Sequence, residues 1–198
     1  MGTRVTPSQV TVVRILTGVA AAAAFAFGAM ELWGVGLWNW GAGLFILSMV
    51  LDRGDGDYAR QSGQTSAAGH KFDLIADTVC NAIIFIGLGI GLRDGDWGGW
   101  AVPMGMLAGA SVTIILWLVM RMENLAGARS AELGSFMGFD PDDAMLAVPI
   151  LVFLGYQEPL LIAAAIGAPG FALLFAVQWG IKYRARRRTL ADGGQPEQ

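Results

Sequence analysis

Charge is what this chain has least of. Lys, Arg, Asp and Glu together make up 15% of its 198 residues, against about 25% in an ordinary soluble domain. So few charges cannot cover a water-facing surface. Disorder, a coiled coil and a nucleic-acid-binding arm are excluded for the bulk of the chain. One cysteine, Cys80, permits no internal disulfide and sits in an apolar run as a packed thiol. One histidine, His70, cannot build a histidine zinc site and has no cysteine cluster beside it. Glycine is plentiful, 28 residues, but follows no three-residue period, so a collagen helix is excluded.

Apolar length is what the chain does have. Hydrophobic residues make up 55% and the mean hydropathy is +0.53. Stretches of about 20 apolar residues are candidates to span a bilayer, and the many small residues suit closely packed membrane helices. Six spans are read, at 10–30, 33–51, 72–92, 100–120, 144–154 (short, extendable toward Pro141) and 159–179. The first is taken as a retained helix rather than a signal peptide, because its apolar core is long and Arg14 lies inside it. Positive charge orients the bundle. Of 13 Lys and Arg residues, all but Arg93 fall on the side of the chain ends and of the loops around 52–71 and 121–143. The expected fold class is therefore all-α: an integral membrane protein with six transmembrane helices and both termini cytoplasmic. Residues 1–181 form the membrane domain and 182–198 a polar, basic tail.

Acidic residues inside such a bundle need a reason. A carboxylate in a span costs about 2.5–3.5 kcal/mol on insertion scales, less near the interface. Asp52 and Asp55 are three apart and share a face of the second helix; Asp73 and Asp77 are four apart and share a face of the third. A Gly-, Ser- and Gln-rich loop, 61–66, lets the two helices form a hairpin that brings these faces together. Four facing carboxylates repel one another. A hard divalent cation, Mg²⁺ or Ca²⁺, relieves both the repulsion and the desolvation, and suits an oxygen-only ligand set. A calcium EF-hand is excluded, since its residue order and closing Glu are missing.

The same stretch reads Asp52-x-x-Asp55-Gly56-x-x-Ala59-Arg60, eight residues, Gly69, three residues, Asp73, three residues, Asp77. This resembles the signature of the CDP-alcohol phosphatidyltransferases, with all eight fixed positions in place over 26 residues. The start, Thr6-Pro7-Ser8-x-x-Thr11, is similar to the family's T-P-N-x-x-T, with Ser8 in place of Asn. The resemblance implies the reaction. A CDP-linked donor, expected to be CDP-diacylglycerol, gives its phospho-alcohol group to a hydroxyl in phospholipid biosynthesis, and CMP leaves. It implies that Asp52, Asp55, Asp73 and Asp77 bind metal, expected as two Mg²⁺ or Mn²⁺ ions, with Asp77 also the general base. Gly56 and Ala59 are then small so that the nucleotide can approach. Arg60 offers its planar fork to a phosphate, Gly69 eases the way into the third helix, and Ser66 is a further donor-binding candidate. Family members commonly carry Lys or Arg after the last Asp, where this chain has Thr78.

The acceptor is less well marked. Phosphorylated acceptors, glycerol 3-phosphate or inositol phosphate, require their own cations, for which Arg14, Arg121 and Arg129 are candidates. The loop before the fifth helix offers Asp140, Asp142 and Asp143 instead. These disfavour an anionic acceptor and point to an unphosphorylated polyol or an amino alcohol. Arg121, Arg129 and Asp140 are taken as acceptor candidates. Other classes are a divalent-cation transporter, whose sites usually lie at the midplane of repeated halves, and a non-catalytic membrane scaffold. The resemblance also implies a homodimer, and Gly105 and Gly109 form a GxxxG pair suited to helix contact within or between chains. The expected setting is the inner cell membrane, with the site at its cytoplasmic face and no nucleic-acid partner.

Overall fold

The computed structural model describes residues 7–62, 67–126 and 141–191. Six α-helices appear among them. Helix α1 is Pro7–Ala26, α2 Leu37–Ser62, α3 Ala67–Gly91, α4 Ala101–Ala126, α5 Pro141–Phe153 and α6 Gln157–Ala191. Four stretches are long and apolar enough to cross a membrane: Gln9–Ala26, Lys71–Gly91, Gly98–Leu118 and Gln157–Ile181. Helix α2 is long enough, but its second half carries charge, and its apolarity falls short. Helix α5 has 13 residues, about 20 Å at 1.5 Å per residue, against a hydrocarbon core of about 30 Å.

The second apolar run starts later than its composition suggests. Residues Glu31–Leu32 (β1) and Val35–Gly36 (β2) form a small antiparallel hairpin, so α2 begins at Leu37 rather than at 33. Trp33 and Gly34 both have positive φ, 53° and 75°, as a two-residue type I′ turn requires. Trp33 stacks edge-on against Trp40, whose indole N–H donates to the Leu32 carbonyl. Five of the seven tryptophans, Trp33, Trp38, Trp40, Trp97 and Trp100, lie at this end of the bundle, as expected of an interfacial aromatic belt. Helices α5 and α6 are separated by a glycine cap. Gly155, at φ 81°, lets its N–H reach the Val152 carbonyl while the Tyr156 N–H reaches Leu151, a Schellman ending. Helix α6 then runs across residue 181 to Ala191.

Helix α1 packs on both α2 and α3; α2 also packs on α5, α3 on α4, and α4 on α6. The core among them is apolar, with Phe25, Phe45, Ile84, Leu88, Val148 and Leu161 fully buried. Large apolar side chains such as Leu16, Val50, Ile166 and Leu173 face outward, as lipid contact allows. Small residues set the close approaches. A Cβ at Gly18 of α1 would lie 2.8 Å from the Cys80 sulfur of α3. A Cβ at Gly109 would lie 2.6 Å from the Ala82 carbonyl oxygen, and one at Gly105 would meet the Phe85 carbonyl. The GxxxG pair of α4 is thus used inside the chain, against α3. The homodimer expectation loses that pair as its basis.

Candidate active site

Helices α1, α2 and α3 meet at one end of the bundle, and three carboxylates meet there with them. Arg14 projects from α1 and is 2% exposed. Its Nη1 lies 2.6 Å from Asp52 Oδ1 of α2 and 2.9 Å from Asp73 Oδ1 of α3. Its Nη2 lies 2.7 Å from Asp77 Oδ1. The carboxylates themselves are partly exposed, at 30%, 36% and 21%. The helical spacing accounts for Asp73 and Asp77 reaching one target. Residues four apart stack on one face, and here that face looks at α1.

Neighbouring polar groups fix this arrangement. The Thr17 and Ser48 hydroxyls donate to the Arg14 carbonyl oxygen at 2.8 and 3.1 Å. Asn81, one turn beyond Asp77 and 7% exposed, donates its amide to Asp77 Oδ1 at 3.0 Å. A small, solvent-open cleft lies beside the carboxylates. Arg14, Ser48, Asp52, Arg53, Asp77 and Asn81 supply its polar lining, and Phe45, Met49, Cys80 and Met145 the apolar part. Met145 brings α5 to the site.

The residues singled out in the sequence fall into three groups. Asp52, Asp73 and Asp77 are brought together. Asp55, Gly56, Ala59 and Arg60 lie on the last turns of α2, placed by their backbone. Ser66, Arg129 and Asp140 lie outside the described residues. Gly69 sits within the first turn of α3, which already starts at Ala67; the two alanines before it carry the helix start. Arg121 is exposed, with its guanidinium 5.1 Å from the Trp117 ring centroid. Thr78, where the family commonly has a base, is buried, and its hydroxyl donates to the Leu74 carbonyl at 2.7 Å.

Arg14, Ser48 and Asn81 are the site residues that sequence reasoning undervalued. Two of them carried a signal. An arginine within an apolar span is costly and needs a carboxylate partner, and Asn81 is four residues from Asp77, on the same face. Ser48 carried none.

Among the described residues, no group of three or more His, Cys, Asp or Glu is arranged to hold a metal ion. The donors nevertheless fit a hard divalent cation in kind. They are carboxylate oxygens from two helices, and three of them already reach a single cationic group. Mg²⁺ and Mn²⁺ favour such oxygens.

An apolar helical bundle with a carboxylate centre at the end of its spans has the length and composition of a membrane protein. The chain matches the CDP-alcohol phosphatidyltransferase model over residues 4–178 and belongs to that family. Membership brings the general activity, transfer of a phospho-alcohol group from a CDP-alcohol to an alcohol acceptor. It also brings the family's general dependence on divalent metal. A comparison with curated proteins finds no match.

Proposed function

We propose that the protein transfers the phosphatidyl group of CDP-diacylglycerol to the hydroxyl of a small unphosphorylated polyol or amino alcohol, releasing CMP, in phospholipid biosynthesis. The observation that carries this reading is the convergence of Asp52, Asp73 and Asp77 on one point between α1, α2 and α3. These are three of the four acids of the family signature, and the fourth, Asp55, lies one turn further along α2.

In this reading the acceptor oxygen bonds to the phosphorus that carries the diacylglycerol. The bond from that phosphorus to the CMP oxygen breaks. Asp77 takes the proton of the acceptor hydroxyl, because an alcohol is a poor nucleophile until that proton leaves. Asn81 holds Asp77 from the next turn and fixes its rotamer. Asp52, Asp55, Asp73 and Asp77 would hold Mg²⁺ or Mn²⁺, one ion or two, which would offset the charge of the pyrophosphate and of the leaving oxygen. Gly56 and Ala59 leave room for the nucleotide, Arg60 holds a phosphate, and Ser66 and Gly69 complete the donor site. The excess of Lys and Arg in the segments on the site's side supports a cytoplasmic site at the inner membrane, with both termini on that side.

The acceptor preference is supported by where the cations are. Arg14 is engaged by three aspartates, and Arg121 lies over Trp117. A phosphorylated acceptor would bring about two further negative charges beside four aspartates and a pyrophosphate. A hydroxyl-rich or amine-bearing acceptor instead finds Ser48, Asn81 and carboxylates lining the cleft. The test gives membranes containing the protein CDP-diacylglycerol, Mg²⁺ and a panel of acceptors. CMP release and the mass of the new lipid are followed. Free polyols or amino alcohols are expected to support turnover; turnover with glycerol 3-phosphate or inositol phosphate alone would reverse the acceptor assignment.

A further inference from the structure

We propose that Arg14 is an internal counter-cation of the aspartate centre and competes with the divalent ion for it. This rests on the divalent-metal reading of the site. The guanidinium is buried and touches Oδ1 of Asp52, Asp73 and Asp77 within 2.6–2.9 Å. Its backbone is held in place as well, since the Arg14 carbonyl accepts from both Thr17 and Ser48. A charge this deep in an apolar helix is retained only with partners, and the aspartates need a partner for the same reason. Removing Arg14 leaves three carboxylates facing one another, and removing the carboxylates leaves a buried, unpaired guanidinium.

The consequence for a second cation follows from sign. Arg14 carries one positive charge against three carboxylates, so the centre still attracts cations. Any ion on those oxygens also lies within a few ångströms of the guanidinium and is repelled by it. Across about 5 Å, even at the dielectric of water, the repulsion between a divalent ion and one unit charge corresponds to roughly tenfold or more in affinity. Arg14 therefore stabilises the metal-free protein and weakens metal binding, so that the ion can be gained and lost at accessible concentrations. A residue that merely braced the aspartates would act in the opposite direction, strengthening metal binding by holding the ligands in place.

The test is Mn²⁺ binding to the full-length protein in detergent, read from the electron paramagnetic resonance of free Mn²⁺, for wild type, Arg14→Lys and Arg14→Gln. Lys keeps the charge but grips fewer carboxylates at once; Gln removes the charge. Affinity should rise in the order wild type, Lys, Gln, with Arg14→Gln about tenfold or more tighter than wild type. In EDTA, Arg14→Gln should unfold at a lower temperature than wild type, and Mn²⁺ should narrow the gap. Equal or weaker Mn²⁺ binding by Arg14→Gln overturns the proposal. If that variant does not survive purification, Arg14→Met, which also removes the charge, decides: about tenfold tighter binding supports competition, and unchanged or weaker binding refutes it. A flat series with a metal-binding wild type defeats only the role of Arg14. A wild type that binds no Mn²⁺ defeats the metal reading along with it.

Discussion

Asp77 Oδ1 accepts hydrogen bonds from two side chains on two helices, Arg14 Nη2 at 2.7 Å and Asn81 Nδ2 at 3.0 Å. A carboxylate held this way has one rotamer, which is what a base must have to meet a hydroxyl at a fixed angle. Replacing Asp77 by Asn keeps the shape and removes the basicity. Turnover in Asp77→Asn should fall by about 10²-fold or more, while binding of the CDP donor, read by equilibrium titration, stays near normal. Wild-type turnover in that variant would move the base elsewhere. Asn81→Ala removes a neutral amide that touches the Asp77 carboxylate and leaves that carboxylate present. It should lower kcat about ten- to a hundredfold, as small misplacements of a catalytic group do, with little change in the donor KM. An unchanged kcat would reduce Asn81 to a packing role.

At the scale of elements, the site depends on how closely α1, α3 and α4 approach. Gly18 lets α1 come down onto Cys80, one turn along from Arg14, and Gly105 and Gly109 let α4 lie against the α3 backbone. Backbone carbonyls cannot move aside as a flexible side chain can. Gly109→Val should therefore force α3 and α4 apart and cost about 1–3 kcal/mol, the usual scale of overpacking. A lowered thermal unfolding midpoint in detergent should show this, with the oligomeric state by light scattering unaltered. A change in oligomeric state without loss of stability would return the pair to an interface between chains. The two acid pairs at helical spacing were legible from the sequence, but the hairpin expected to bring them together was not the means: among the described residues α2 and α3 each pack on α1, which lies between them. The β1–β2 hairpin was not legible. Glu31 to Gly36 is mostly apolar, and only the backbone at Trp33 and Gly34 separates it from the helix that follows.

Among the described residues, five of the seven tryptophans lie at one end of the bundle and the aspartate centre, with Arg14, Arg53 and Arg121, toward the other. In the proposed reaction that polarity would put the nucleotide at one membrane surface and leave the lipid part of the donor in the bilayer. The proposed reaction also needs a divalent cation at that centre. EDTA should abolish CMP release from membranes given CDP-diacylglycerol and acceptor, and added Mg²⁺ or Mn²⁺ should restore it. Full turnover in excess chelator would dissociate the reaction from divalent metal. The short α5 contributes Met145 to the cleft and packs on α2. It thus serves the site from a helix that is itself too short to cross the hydrocarbon core as a straight span.

Composition and spacing alone determined the helical membrane class, because apolar length and scarce charge leave no other way to satisfy the backbone. They also determined the acidic signature from Asp52 to Asp77, since its fixed intervals are local properties of two helices. Only the tertiary structure decided what faces those acids. Arg14 lies 38 residues or more before them in the chain and reaches them because Gly18 lets α1 pack tightly between α2 and α3. Sequence periodicity marks which face of a helix is apolar but not which helix it will meet. The guanidinium within the aspartate centre, the amide on Asp77 and the use of the α4 glycines against α3 are all consequences of that pairing of helices.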